Sequence, residues 1–192
     1  GEGVEAHGIG DHCMKDLVSL PVRSGEGVLV VVETPAGSRM KLKLDPELGH
    51  VTVSRPLPLG LHYPFDWGFI PSTKAEDGDP LDAMLYAPEP GAAGMIVRAR
   101  LLGVLKVEQN RKQGSGRQRN DRLFLAPLQA AHGDSPKDVL AFAPRLRSEL
   151  EDFFVWSTRW EKKDLRFLGW GGIEEAEAIL SAAERAARGG PS

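Results

Sequence analysis

Asp77-Gly78-Asp79-Pro80-Leu81-Asp82 sets three carboxylates within six residues, with a glycine and a proline fixing the backbone between them. Hard divalent cations such as Mg²⁺ take oxygen ligands and commonly share their site with phosphate oxygens and water. Bunched carboxylates repel one another, so without a cation the cluster costs stability. Glycine between two aspartates permits a tight turn, and proline ends any helix there. One reading is a magnesium site that handles phosphate. The other is an acidic surface turn, because Asp-Gly and Asp-Pro are ordinary turn dipeptides. The stretch alone leaves both open.

Its surroundings decide more. Upstream lie Glu33-Thr34-Pro35-Ala36-Gly37-Ser38-Arg39-Met40-Lys41, then Arg55, then Tyr63-Pro64-Phe65-Asp66-Trp67-Gly68-Phe69-Ile70. The order is acid, Lys, Arg, Tyr, aromatic-Gly-aromatic, then the triple-aspartate run. In that order and spacing the chain resembles a soluble family I inorganic pyrophosphatase. Gly103-Val104-Leu105-Lys106-Val107, Leu123-Phe124-Leu125-Ala126-Pro127 and Phe153-Phe154 before a Trp-rich segment extend the resemblance from about Leu29 to about Trp170.

The resemblance implies hydrolysis of pyrophosphate to two orthophosphates by metal-activated water, with Mg²⁺ as the cofactor and Mn²⁺ as the alternative ion. It makes Asp77, Asp79 and Asp82 ligands of the activating metals, with Asp79 also accepting the proton of the nucleophilic water. Glu33 becomes an outer ligand or a supporting carboxylate. Lys41, Arg55 and Arg122 become phosphate contacts, and Tyr63 a hydrogen-bond donor. Such parts suit the reaction, since metal ions activate water and clamp phosphoryl oxygens while basic side chains stabilise developing charge. Physical argument alone says only that acids and bases of these types suffice.

Several positions depart from the family pattern. Lys43 stands where a glutamate is usual, and Trp67 replaces a tyrosine. Where the family shows Asp-Glu, a short loop and Asp-x-Lys, this chain reads Glu108-Gln109, a longer loop, then Asn120-Asp121-Arg122. Glu108 and Asn120 are the expected further ligands, the asparagine supplying only a neutral oxygen. Asp121 is the adjacent substitute, although neighbouring strand residues face opposite sides. A phosphate-binding Tyr-Lys pair falls at Ser157-Thr158, which leaves Arg159 or Lys162 to supply the cation. The chain reads as a diverged branch.

At 192 residues the length suits one domain that buries its own core. A formal net charge of −3 argues against nucleic acid as a main partner. The single cysteine, Cys13, forms no internal disulfide, which suits a reducing, cytoplasmic setting. No apolar run is long enough to span a bilayer, and no basic-then-apolar secretory layout opens the chain. The expected partners are pyrophosphate or a related small phosphate, with no nucleic acid and no membrane. By resemblance, the chain assembles as a homo-oligomer, commonly a hexamer. The chain opens on Gly1, and Met14 lies close to the expected natural start.

Residues 1–24 lack periodicity and read as a loose arm, in which His7 and His12 read as solvated. A single domain follows over 25–188, and 189–192 form a tail. Val28–Val32, Lys41–Leu44, Val51–Val53, Met95–Val107 (bulged near Gly103) and Leu123–Ala126 read as five strands. They predict a mainly β, α+β fold: a five-stranded closed OB-like barrel with flanking helices. One helix starts at Pro144 and presents Leu146, Leu150, Phe153 and Phe154, and a second runs from Ile173 to Arg188 before Gly189-Gly190-Pro191. Asn110–Asn120 reads as a flexible hairpin tip with dispersed charge. Two alternatives stand beside the pyrophosphatase: a hydrolase of another phosphoanhydride or phosphoester, and a non-catalytic phosphate-binding relative. A nucleic-acid-binding barrel is the most remote, since it needs exposed aromatics on a basic groove.

Overall fold

Eight consecutive residues, Gly27–Thr34, form strand β2, and every one of them is buried. A valine-rich run of this kind suits a strand covered on both faces. In the computed structural model, which describes residues 17–129 and 136–189, β2 pairs on both edges. One partner is β5 (Asp66–Ile70), the other the first part of β7 (Ile96–Asn110). Strand β6 (Leu81–Leu85) runs antiparallel to β5, β9 (Arg122–Pro127) joins β6 in parallel, and β9 returns to the middle of β7. The strands β2, β5, β6, β9 and β7 therefore close a five-membered ring. Closure leaves these strands without a free edge.

The ring has the expected number of strands but a different membership. Strands β3 (Met40–Asp45) and β4 (His50–Pro56), two of the five expected members, form a separate hairpin with largely exposed or half-buried residues. Their places are taken by β5 and β6, short segments whose sequences read first as motifs. The alternation of Lys41-Leu42-Lys43-Leu44 suits a flap with one wet face, whereas ring strands bury both.

At fifteen residues, β7 is long enough to serve several partners. Beyond the ring it carries β8 (Arg117–Arg119) and β10 (Arg166–Gly171). Its register shifts between Leu101 and Gly103, the bulge expected there. Gly103 has φ +145°, and a Cβ on it would lie 2.3 Å from Val139 Cγ2 and 2.5 Å from the Gly171 carbonyl oxygen. Only glycine fits that crossing.

Helix α1 (Pro144–Ser157) has proline in its first turn and buries Leu150, Phe153 and Phe154. Helix α2 (Ile173–Ala187) buries Ala176, Leu180 and Ala183. The two helices divide the core. One face of the ring strands packs Val30, Ile70, Leu85 and Leu123 against α2. The other packs Tyr63, Trp67, Met84, Phe124, Leu105 and Val107 against α1. Each apolar side chain so enclosed contributes about 1.5–3 kcal/mol.

Residues 17–24, expected within a loose arm, are packed instead: Leu17 and Val22 are buried, and β1 (Arg23–Ser24) pairs with β2. The expectations for residues 1–16, including His7, His12, Cys13 and Met14, and for 190–192 lie outside the described residues. No helix among the described residues is long and apolar enough to cross a membrane.

Candidate active site

The α1 face of the ring opens into a small recess of about 20 Å³ where most of the expected basic residues converge. Lys41 and Arg55 reach it as register partners on the β3–β4 hairpin. Tyr63 and Trp67 come from the approach to β5 and from β5 itself, Asp82 from β6, and Asn120 and Arg122 from the start of β9. Two roomier clefts of about 900 and 970 Å³ flank α2 but include none of Lys41, Arg55, Asp82 or Arg122. Volume therefore does not locate the chemistry here.

Arg122 dominates the recess. The residue is 3% exposed, and its Nε and Nη1 have no hydrogen-bond partner. Its guanidinium lies 4.0 Å over the Phe154 ring and 5.9 Å from that of Trp67, so aromatic faces hold it in place. Burial pulls the Arg122 pKa down to about 10, against the favourable charge of Asp82. A buried cation with orphaned donors is costly unless an anion arrives to accept from them.

The neighbouring groups are perturbed in the same way. Burial and then the Lys163 charge lower Lys41 to about 8. Burial pushes the Asp82 carboxyl up, against the opposing pull of Lys41, Arg122 and Lys163. Tyr63 is pushed up by burial, so it remains a protonated donor. Glu33, at the end of β2, accepts a 2.8 Å hydrogen bond from the Leu44 amide. Its pKa is nevertheless raised to about 7, first by burial and also by Asp82.

The acidic turn precedes β6. Gly78 adopts φ +87°, and the Asp77 side chain accepts from the Asp79 amide at 3.1 Å, which folds the two carboxylates toward one side. Lys112 Nζ lies 2.7 Å from Asp79 Oδ2 and 3.1 Å from Asp77 Oδ2, and Lys43 Nζ lies 3.1 Å from the same Asp79 oxygen. Burial raises Asp79, but these lysines outweigh it and hold the carboxyl below its ordinary value. Asp77 in turn raises Asp82, which ties the turn electrostatically to the recess.

Two expected metal ligands stand elsewhere. Asp121 points away from the recess: its Oδ1 accepts from the Val107 amide at 3.0 Å, and its carboxylate is clasped by Arg119 at 2.8 Å. Asn120 and Asp121 are consecutive in extended chain, so only one can face inward, and it is Asn120. Glu108 likewise lies outside the recess lining and pairs with Arg117 at 3.5 Å. Its neighbour Gln109 shares the face of Leu105 and Val107, is 1% exposed, and has an Oε1 without a partner. The alternation Leu105-Val107-Gln109 was the available signal for it.

Lys163 was also missed, and it replaces the cations expected from Arg159 or Lys162. Arg159 stacks on Trp156 and Trp160, at 4.6 and 5.5 Å from the ring centroids. Ser157 and Thr158 turn their hydroxyls to the Phe154 carbonyl, at 3.1 and 2.9 Å. Lys163 instead lines the recess and pairs with Glu161 at 3.2 Å, while Glu161 also pairs with Arg55 at 2.5 Å. Because the chain is irregular after α1, spacing does not show which residue returns.

Among the described residues no three His, Cys, Asp or Glu side chains are gathered tightly enough to hold an ion as they stand. The donor set nonetheless fits a hard cation. Asp77 and Asp79 already share one ammonium, so two carboxylates of the turn converge on a single cation.

Known proteins resemble this chain along most of its length. The inorganic pyrophosphatase family profile matches residues 30–188. The inorganic pyrophosphatase of Corynebacterium efficiens is 39% identical over 155 residues, covering 80% of this chain and 94% of that protein. That of Thermus thermophilus is 35% identical over 177 residues, covering 88% and 98%. The crystal structure of inorganic pyrophosphatase from Thermus thermophilus superposes with a TM-score of 0.81 at 31% identity, over 90% of this chain and 99% of that one. The Coxiella burnetii enzyme gives 0.77 at 29% identity over 87% and 99%. With the recess and acidic turn in place and the match running along nearly the whole described chain, the protein belongs to the inorganic pyrophosphatase family.

Proposed function

We propose that this protein hydrolyses inorganic pyrophosphate to two orthophosphates in a reaction that requires a divalent ion, Mg²⁺ or alternatively Mn²⁺. The observation that carries this reading is Arg122, a buried guanidinium with two unpartnered donors beside Asp82. A small, highly charged phosphate is the ligand that such donors suit.

Asp77, Asp79 and Asp82 would hold the ion, with Glu33, Asn120 and Gln109 offering further oxygens. When bound, it neutralises phosphoryl oxygens and makes water a stronger acid. The side chains do the rest. Arg122 donates Nε–H and Nη1–H to phosphoryl oxygens and keeps its plane on Phe154. Lys41, largely protonated below about pH 8, adds a second cation. Arg55 and Lys163 exchange Glu161 for phosphate as substrate enters. Tyr63 donates its hydroxyl proton. Asp79, whose carboxyl the surrounding positive charge holds below its ordinary value, accepts the proton of the attacking water. The aromatic wall of Trp67, Phe153 and Phe154 limits water around the transferring group.

The protein acts in the cytoplasm as a homo-oligomer of one principal domain, which includes the packed residues 17–24, with no membrane or nucleic-acid partner. The basic hairpin supports the last point. Arg111, Lys112, Arg117 and Arg119 are each ion-paired within the chain rather than presented to a polyanion.

The test is phosphate release from pyrophosphate with Mg²⁺, Mn²⁺ or no metal, beside a nucleotide substrate and the Asp82→Asn variant. Metal-dependent turnover of pyrophosphate that the variant loses supports the reading. Preference for the nucleotide, or no turnover in folded protein, overturns it.

A further inference from the structure

Lys112 stands at the tip of the β7–β8 hairpin, where the Arg111 amide donates to the Gly116 carbonyl at 3.1 Å. The hairpin is fastened beside the acidic turn. Glu76, the residue before Asp77, accepts from the Arg119 amide at 3.0 Å and pairs with Arg111 at 3.8 Å. From that tip the Lys112 ammonium reaches both Asp79 and Asp77, at 2.7 and 3.1 Å. The Asp77 side chain is nearly covered, at 6% exposure, whereas that of Lys112 is 48% exposed. The partner that can leave is therefore the lysine.

We propose that Lys112 is a tethered cation that competes with the divalent ion for Asp77 and Asp79, and so sets the ion concentration the protein requires. The proposal rests on the reading of the acidic turn as a metal site. An ammonium within 3.1 Å of both carboxylates cannot stay there beside a divalent ion held by the same oxygens, because like charges at that range repel strongly. The flexible four-carbon stem lets the ammonium swing into water while the hairpin stays anchored through Glu76. Lys43 makes a lesser contribution, since it touches Asp79 alone. The arrangement makes Lys112 a determinant of metal demand rather than a catalytic residue.

The experiment is Mn²⁺ binding to the metal-stripped full chain at low salt, followed by the electron paramagnetic resonance of free Mn²⁺. Wild type is compared with Lys112→Met, Lys112→Gln and Lys112→Arg, each checked for an unchanged far-ultraviolet spectrum. Both neutral variants should bind Mn²⁺ about three- to tenfold more tightly, the range expected for releasing partly exposed ion pairs. Lys112→Arg should stay close to wild type. Equal affinity in wild type and both neutral variants overturns the proposal, as does absence of Mn²⁺ binding by any of them. Phosphate release is scored on the same samples. Turnover with unchanged affinity overturns the lysine proposal alone, whereas shifted affinity without turnover overturns the hydrolase reading alone.

Discussion

The acidic turn and the basic recess are opposite in charge yet solve the same problem in the same way. In the turn, the carboxylates of Asp77 and Asp79 are met by Lys112 and Lys43. In the recess, the cations of Arg55 and Lys163 are met by Glu161. Each half carries its own counterion, borrowed from a segment outside the ring. The difference lies in depth. The turn's lysines are about half exposed, whereas Arg122 in the recess is buried and keeps two donors without any internal partner. Ligands thus enter the turn and the recess rim by exchanging ions, and reach Arg122 by satisfying a group the chain leaves unpaired.

That contrast makes Arg122 the place where substitution costs most. Arg122→Met should lower kcat/KM for pyrophosphate by about 10²–10³, the usual loss for one preorganised donor to a developing oxyanion. Arg122→Lys should recover only part, because a point charge lacks the planar fork. Steady-state kinetics on both variants checks this: full recovery in Arg122→Lys would show that charge alone matters, and losses equal to those of Arg122→Met that the fork alone does.

Glu33 sharpens the comparison on the acidic side. Unfolded, its carboxyl titrates near 4.5; folded, near 7. The folded state therefore holds a proton that the unfolded state has lost, and stability from this group falls as pH rises from about 4.5 to about 7. Glu33→Gln keeps an acceptor for the Leu44 amide and removes the buried charge. Metal-free variant should gain roughly 2–3 kcal/mol over wild type at pH 8 and under about 1 kcal/mol at pH 5. Urea denaturation at the two pH values measures it.

On the basic side, Lys41 titrates near 8, and its charge is present below that value and lost above it. The value of kcat/KM should fall as pH passes about 8, and Lys41→Arg should move that limb upward. A pH profile of both proteins decides the matter. The smallest effect belongs to the counterion of the recess rim. Glu161→Gln frees Arg55 and Lys163 and should lower KM by about two- to fivefold with little change in kcat, in line with partly exposed ion pairs. An increase in KM would show that Glu161 positions those cations rather than competing for them.

The readable parts of the molecule were those with a local cause. Valines in succession marked β2, Pro144 and the Leu146–Phe154 face marked α1, and Gly103 marked the bulge of β7. Strands β5 and β6 were hidden because Asp66–Ile70 and Leu81–Leu85 are short, buried on both faces, and so show no alternation. The site divided along the same line. Lys41, Arg55, Tyr63, Asp82, Asn120 and Arg122 converge as their order suggested. Glu108 and Asp121 do not, because a strand turns alternate residues to opposite faces, and Gln109 and Asn120 hold the inward positions.

By itself, the order of acids, bases and aromatics along the chain determined the family, the mainly β architecture and the residue types from which a phosphate-handling site is built. These are written in one-dimensional spacing, and local sterics and periodicity carry them. Tertiary structure alone decided which strands close the ring, which of two adjacent polar residues faces the recess, and which charged side chain answers which. Lys112 meets Asp79 across 33 positions, and Glu161 meets Arg55 across the gap between a hairpin and the end of α1. Such pairings depend on the strand pairing and chain return that place distant segments together, and no local propensity encodes them.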